Sequence, residues 1–75
     1  MLKIKEDSLI EFVNLVNECC ELIEDSLVER FLTTRHSFFN NISPLEEFNQ
    51  HGLEKILRLL YFIDIGEADI FEIDI

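Results

Sequence analysis

A chain of 75 residues in which 16 acidic side chains outweigh 6 basic ones, for a formal net charge of −10, gains nothing from displacing counterions on a nucleic-acid backbone, which argues against direct nucleic-acid binding. Apolar residues make up 48% of it, including seven Phe and one Tyr, too many for intrinsic disorder; yet one domain of this size buries only about 60–65% of its unfolded surface, so a marginal monomer with apolar surface left for a partner is expected. No run approaches the roughly 20 apolar residues of a membrane span, and Lys3, Lys5, Glu6 and Asp7 interrupt what a secretory signal needs as an apolar core, so a cytoplasmic protein without membrane contact is expected.

The opening LKIK alternates and reads as a short strand candidate. Ser8 and Glu11 then have the spacing of a capping box and predict the start of a first helix. Leu9, Val13, Val16, Cys20, Ile23 and Leu27 step by fours and threes, a helical stripe. Phe12, Leu15, Cys19 and Leu22 widen it to nearly half the circumference, while Glu11, Glu18, Glu21 and Glu24 hold much of the remainder in water. That breadth predicts packing on two sides, the chain's own core and a second copy, and hence a homodimer or higher oligomer through Leu9, Phe12, Val13 and Val16. Cys19 and Cys20 are sequence neighbours projecting about 100° apart on a helix, a poor disulfide pair, and read as buried, reduced thiols. Paired metal-ligand spacing is missing, and neither a metal nor a cofactor is expected.

Ser26 and Glu29 repeat the capping-box spacing, which predicts a break near Asp25 and a short second helix from about Leu27 to Leu32. TTRHSFFNNI is a turn region: its Thr, Ser and Asn side chains compete for backbone hydrogen bonds, and Asn40 and Asn41 tolerate the left-handed conformation. At least one of Phe38 and Phe39 is expected to plug the base of the core. Ser43 as N-cap, Pro44 at the first helical position and Glu46 closing the box give a strong start for a third helix, expected to be short because Asn49, Gln50 and Gly52 favour a turn. Leu53, Ile56, Leu57, Leu60 and Ile63 define a last helix, with Gly66 placed to end it in the left-handed conformation.

The final EADIFEIDI changes period. Two readings stand: a strand paired with LKIK, Lys3 and Lys5 answering Glu72 and Asp74, or an extended acidic tail that docks elsewhere. Five acids, Asp64, Glu67, Asp69, Glu72 and Asp74, follow Arg58 with no base among them. Self-repulsion predicts that residues from Glu67 onward are mobile when free and become ordered in a basic cleft, Ile70 and Phe71 serving as apolar anchors. The fold expected is therefore an all-α bundle of about four helices in one domain, 1–75, with an acidic extended segment at 67–75, possible partner to the N-terminus.

From Val28 to Gly66 the order of pieces resembles the C-terminal toxin-binding domain of the Xre/MbcA/ParS antitoxins. Phe31 and Leu32 stand where that family has a Trp-Leu pair, Ser43, Pro44, Leu45 and Glu46 match its Ser/Thr-Pro-Leu helix start, and Leu57, Leu60, Ile63 and Gly66 match its last helix. With Leu15 to Glu24 as the preceding helix, the likeness spans about 15–66. Phe31 replaces the Trp, Asn41 and Ile42 stand where a Gly-containing turn is common, the chain runs on beyond Gly66, and no room is left for the helix-turn-helix domain that many members carry, so DNA-binding autorepression does not transfer. The resemblance implies a small helical protein that binds a RES-fold, NAD-consuming toxin enzyme and blocks its active site. A pocket that binds pyrophosphate presents basic side chains or helix N-termini, and the residues suited to meet it are Asp64, Glu67, Asp69, Ile70, Phe71, Glu72 and Asp74.

Two other classes remain open from the residues themselves: a phage or mobile-element inhibitor whose carboxylates imitate a phosphate backbone, and a plain helical dimerisation module. Catalysis is the weakest reading. His36 and His51 are the chain's two histidines, both read as surface turn residues, and glycine-rich phosphate loops and nucleophile–base spacings are lacking.

Overall fold

A computed structural model describes residues 8–72. Four helices follow one another, α1 (Leu9–Leu22), α2 (Asp25–Thr33), α3 (Pro44–His51) and α4 (Glu54–Asp64), with a 3₁₀ turn, Ser37–Phe39, between α2 and α3. α1 packs on α2 and α4, and α3 packs on the same two helices, so one core is shared by all four. The expected all-α bundle is what forms. None of the described helices is long and apolar enough to cross a membrane.

The three capping boxes read from the sequence fare differently, and backbone conformation explains why. An N-cap side chain reaches the N3 amide only from an extended backbone. Ser43 has it, at φ −77° and ψ 157°; its Oγ accepts from the Glu46 N–H at 3.1 Å and its own N–H donates to Glu46 Oε1 at 3.0 Å. With Pro44 at the first position, where no amide is needed, this cap contributes about 1 kcal/mol. Ser8, at φ −106° and ψ 8°, makes no capping bond. Ser26 lies inside α2, whose N-cap is Glu24. The break expected near Asp25 is present, but at Ile23 and Glu24: Ile23 turns extended, its N–H still closing on the Cys19 carbonyl at 2.8 Å, and its side chain enters the core.

The buried line of α1 also differs from the expected one. Leu15, Cys19 and Ile23 are buried, with Phe12 and Val16 packed beside them, whereas Leu9, Val13 and Cys20 face outward. The buried line is rotated by about 100°, one residue, from the stripe read first. Phe12 offers a physical reason: its ring meets Phe48 of α3 edge-on at 5.7 Å, burying more apolar area than Val13 in that place. Cys19 is enclosed, and loss of solvation, followed by the charges of Cys20 and Glu18, pushes its thiol up to about 12. Cys20 is exposed, contrary to the reading of two buried thiols; desolvation, then the hydrogen bond and charge of Asp25, raise its pKa as well.

α2 ends where Thr33 Oγ1 and Thr34 Oγ1 cap the carbonyls of Glu29 and Arg30 at 2.8 and 2.6 Å. In the turn that follows, Asn40 and Asn41 take φ of 58° and 66°, a left-handed pair that asparagine tolerates in place of glycine. Phe39 is the expected core plug. Phe38 is half-buried, edge-on to Phe39 and to Phe62 of α4. α3 runs through Asn49 and Gln50, past the turn expected there, because buried Glu47 and Phe48 anchor it and His51 Nδ1 lies 3.2 Å from Glu47 Oε1 one turn back. His51 is thus a helical residue, not a turn residue.

α4 buries Ile56, Leu59 and Leu60. Leu59 falls outside the expected stripe and is fully enclosed because α4 is covered by both α1 and α3. The helix ends as expected at Gly66, φ 81°: Gly66 N–H donates to Ile63 O and Glu67 N–H to Phe62 O, the paired bonds of a Schellman motif.

Candidate functional site

The C-terminal segment is placed by a histidine. His36 follows α2 and precedes the 3₁₀ turn, and its ring is buried, with 2% exposure, not at the surface as the sequence suggested. Phe38 N–H donates to His36 Nδ1 at 3.1 Å, so that nitrogen carries no proton; Nε2 therefore holds it and donates to the Asp69 carbonyl at 2.9 Å. Both ring nitrogens are satisfied only in this neutral tautomer. The rings of Phe31 and Phe39 flank the imidazole at 6.4 and 5.9 Å.

Next to it Ser37 holds the chain a second time. Its N–H donates to the Glu72 carbonyl at 2.7 Å and its Oγ to Glu72 Oε2 at 3.1 Å. Ala68 and Ile70 pack against the core. Residues 67–72 are therefore folded back on the bundle in bends and irregular backbone, neither a strand nor the free tail that charge repulsion alone predicted. Backbone carbonyls, which repulsion between side chains leaves unaffected, make two of these three bonds. The expected pairing with LKIK, and Asp74, lie outside the described residues.

Of the residues expected to meet a partner, Asp64, Glu67, Asp69 and Glu72 are exposed, Phe71 is 38% exposed, and Ile70 is half-buried against the core. Beside them the structure exposes Tyr61 (58%) and Ile65 (47%), which the sequence reading passed over. The signal was available: Tyr61 and Ile65 lie four apart and off the line of Ile56, Leu60 and half-buried Ile63, so they share an outer face at the C-terminal end of α4. Of the four residues expected to make a dimer, Leu9 and Val13 are exposed next to exposed Ile10, whereas Phe12 and Val16 belong to the chain's own core.

His51, Lys55 and Arg58 converge on a cleft floored by Phe39 and Ile42, but Glu47 and Glu54 line it too, leaving it mixed in charge. Among the described residues no group of three or more His, Cys, Asp or Glu is placed to hold a metal ion. Comparison with family models, with curated proteins and with solved structures returns no match to this chain, so its likeness to the antitoxin domain rests on motif order and spacing.

Proposed function

We propose that the chain is a non-catalytic inhibitor of the antitoxin type, which acts in the cytosol by covering the active-site cleft of a basic, NAD-consuming RES-fold enzyme. The observation that carries this reading is the C-terminal face: Tyr61, Ile65 and Phe71 stand exposed among Asp64, Glu67, Asp69 and Glu72, and no Lys, Arg or His occurs after Arg58. Apolar anchors within a field of one sign suit a partner of the opposite sign: the charges steer encounter and the anchors slow release. Because His36 and Ser37 already hold the segment, little of its ordering entropy remains to be lost on binding.

The test is NAD consumption by a RES-fold toxin titrated with this protein. Asp64→Lys, Glu67→Lys and Phe71→Ala, none of which removes a side-chain hydrogen bond of the fold, are together expected to weaken inhibition at least about tenfold, with association slowed further by salt. A wild-type chain that leaves NAD consumption unchanged removes the enzyme reading. A triple variant as potent as wild type moves the inhibitory surface elsewhere.

The same reading includes a homodimer, for which the exposed strip Leu9, Ile10 and Val13 is the support. Sedimentation is expected to show a species of twice the chain mass at high micromolar concentration, reduced to monomer by Ile10→Glu. A wild-type monomer under those conditions ends the dimer proposal.

A further inference from the structure

Beyond the tail, the bundle carries a groove between α1 and α4. One concavity is lined by Asn14, Leu15, Glu18, Leu53 and Leu57; the next shares Glu18 and Leu57 and continues to Leu22, Tyr61 and Asp64. Residue numbers rise together along both walls, so α1 and α4 run side by side in the same direction and the two hollows form one trough. At 1.5 Å per residue, the α4 wall from Leu53 to Asp64 measures about 16 Å and the α1 wall from Asn14 to Leu22 about 12 Å, about three and about two helical turns. Its floor is apolar, with Leu15 and Leu60 buried beneath half-buried Leu57 and exposed Leu22 and Tyr61. Its rim carries Glu18, Glu21 and Asp64 and no base, and none of these carboxylates is in an ion pair among the described residues.

We propose that this groove binds an amphipathic, lysine- or arginine-rich helix of a partner protein. An apolar trough two to three turns long fits the i, i+3/i+4, i+7 side chains of one helix face. The acidic rim selects cations flanking that face, and Tyr61 adds an aromatic face for a guanidinium. The rim argues against a second copy in the same place, since two copies seated at this groove would bring their Glu18, Glu21 and Asp64 carboxylates together. The groove shares Tyr61 and Asp64 with the C-terminal face, and its occupancy does not depend on the identity of the inhibited enzyme.

The probe is a synthetic amphipathic peptide of about 14 residues with Leu at i, i+3, i+4 and i+7 and Lys on the flanks, titrated into isotope-labelled protein and followed by amide shifts. Shift changes are expected along Asn14, Glu18, Leu22, Leu57 and Tyr61. The exposed double substitution Glu18→Gln, Glu21→Gln, checked by circular dichroism for an intact fold, is expected to weaken binding about tenfold. A glutamate-flanked peptide of the same pattern is expected not to bind. Shifts confined to residues 67–72, shifts spread over every acidic surface, equal binding by the double variant, or concentration-dependent shifts at the groove without peptide would each overturn the proposal. The NAD-consumption assay is read separately, so groove binding and enzyme inhibition can fail independently.

Discussion

Replacing Phe31 by Ala is expected to lower the stability of the fold by about 4 kcal/mol, the usual cost of emptying an aromatic core position. Phe31 is almost wholly buried on α2, in the same core as Leu32, Phe39 and Ile56, with its ring edge-on to His36, so the surrounding helices have little room to collapse into the void. A domain of this length has only about 4–11 kcal/mol in total. Urea denaturation should therefore find Phe31→Ala unfolded in large part at 37 °C, with the wild type folded. The aromatic that the antitoxin motif favours at this position is a Trp; in this core Phe31→Trp is expected to cost about 1–3 kcal/mol by overpacking. A stable Phe31→Ala variant, or a Trp variant more stable than wild type, would show that the space around α2 is looser than the packing described.

The second large effect is expected at His36. His36→Ala removes the acceptor for the Phe38 amide and the donor to the Asp69 carbonyl at once, along with a ring packed between Phe31 and Phe39. With about 1–3 kcal/mol for each polar group left unsatisfied where it stays buried, a loss near 3 kcal/mol follows. The variant should also release the C-terminal segment. Ser37 donates its amide to Glu72, and hydrogen exchange at that amide should accelerate well beyond the change in global stability, with new proteolytic cleavage between Gly66 and Glu72. Glu72→Ala is the control: it removes the exposed Ser37 Oγ bond and the long Asp69 N–H bond to Glu72 Oε1 at 3.5 Å, leaves both His36 bonds in place, and should cost less than about 1 kcal/mol. Unchanged exchange at Ser37 in His36→Ala would mean that the Ser37–Glu72 bonds and the packing of Ala68 and Ile70 hold the segment without the imidazole. Release matters for the inhibitory reading, because a freed tail must be ordered again on the partner and affinity falls accordingly.

The candidate surface was partly legible. Composition alone marks residues from Asp64 onward as a base-free acidic end, and the structure keeps Asp64, Glu67, Asp69 and Glu72 in solvent. What composition does not carry is the company they keep. Tyr61 and Ile65 join that face because α4 is turned to place Leu59 between α1 and α3. The groove likewise exists only once α1 and α4 lie alongside each other, bringing Glu18 and Glu21 to Asp64 across more than forty residues of chain.

Signals that act within one turn of backbone could be read directly from the sequence. Ser43, Pro44 and Glu46 start α3, Asn40 and Asn41 take the left-handed turn, and Gly66 ends α4, because each requires only its own dihedrals and neighbours three to five residues away. The helix count follows from hydrophobic spacing in the same local way, whereas the choice of Phe39 over Phe38 as the core plug was made by the packing. Tertiary packing decided the rest. Ser8 and Ser26 have the right spacing for caps but not the extended backbone, which is set by where α1 breaks and how α2 docks. The inward face of α1 was chosen by Phe12 meeting Phe48, and the course of the acidic tail by a buried imidazole with one nitrogen free to donate to a carbonyl thirty-three residues away. Each of these outcomes depends on a partner supplied by a distant part of the chain, and the periodicity of a single segment contains no information about which partner arrives.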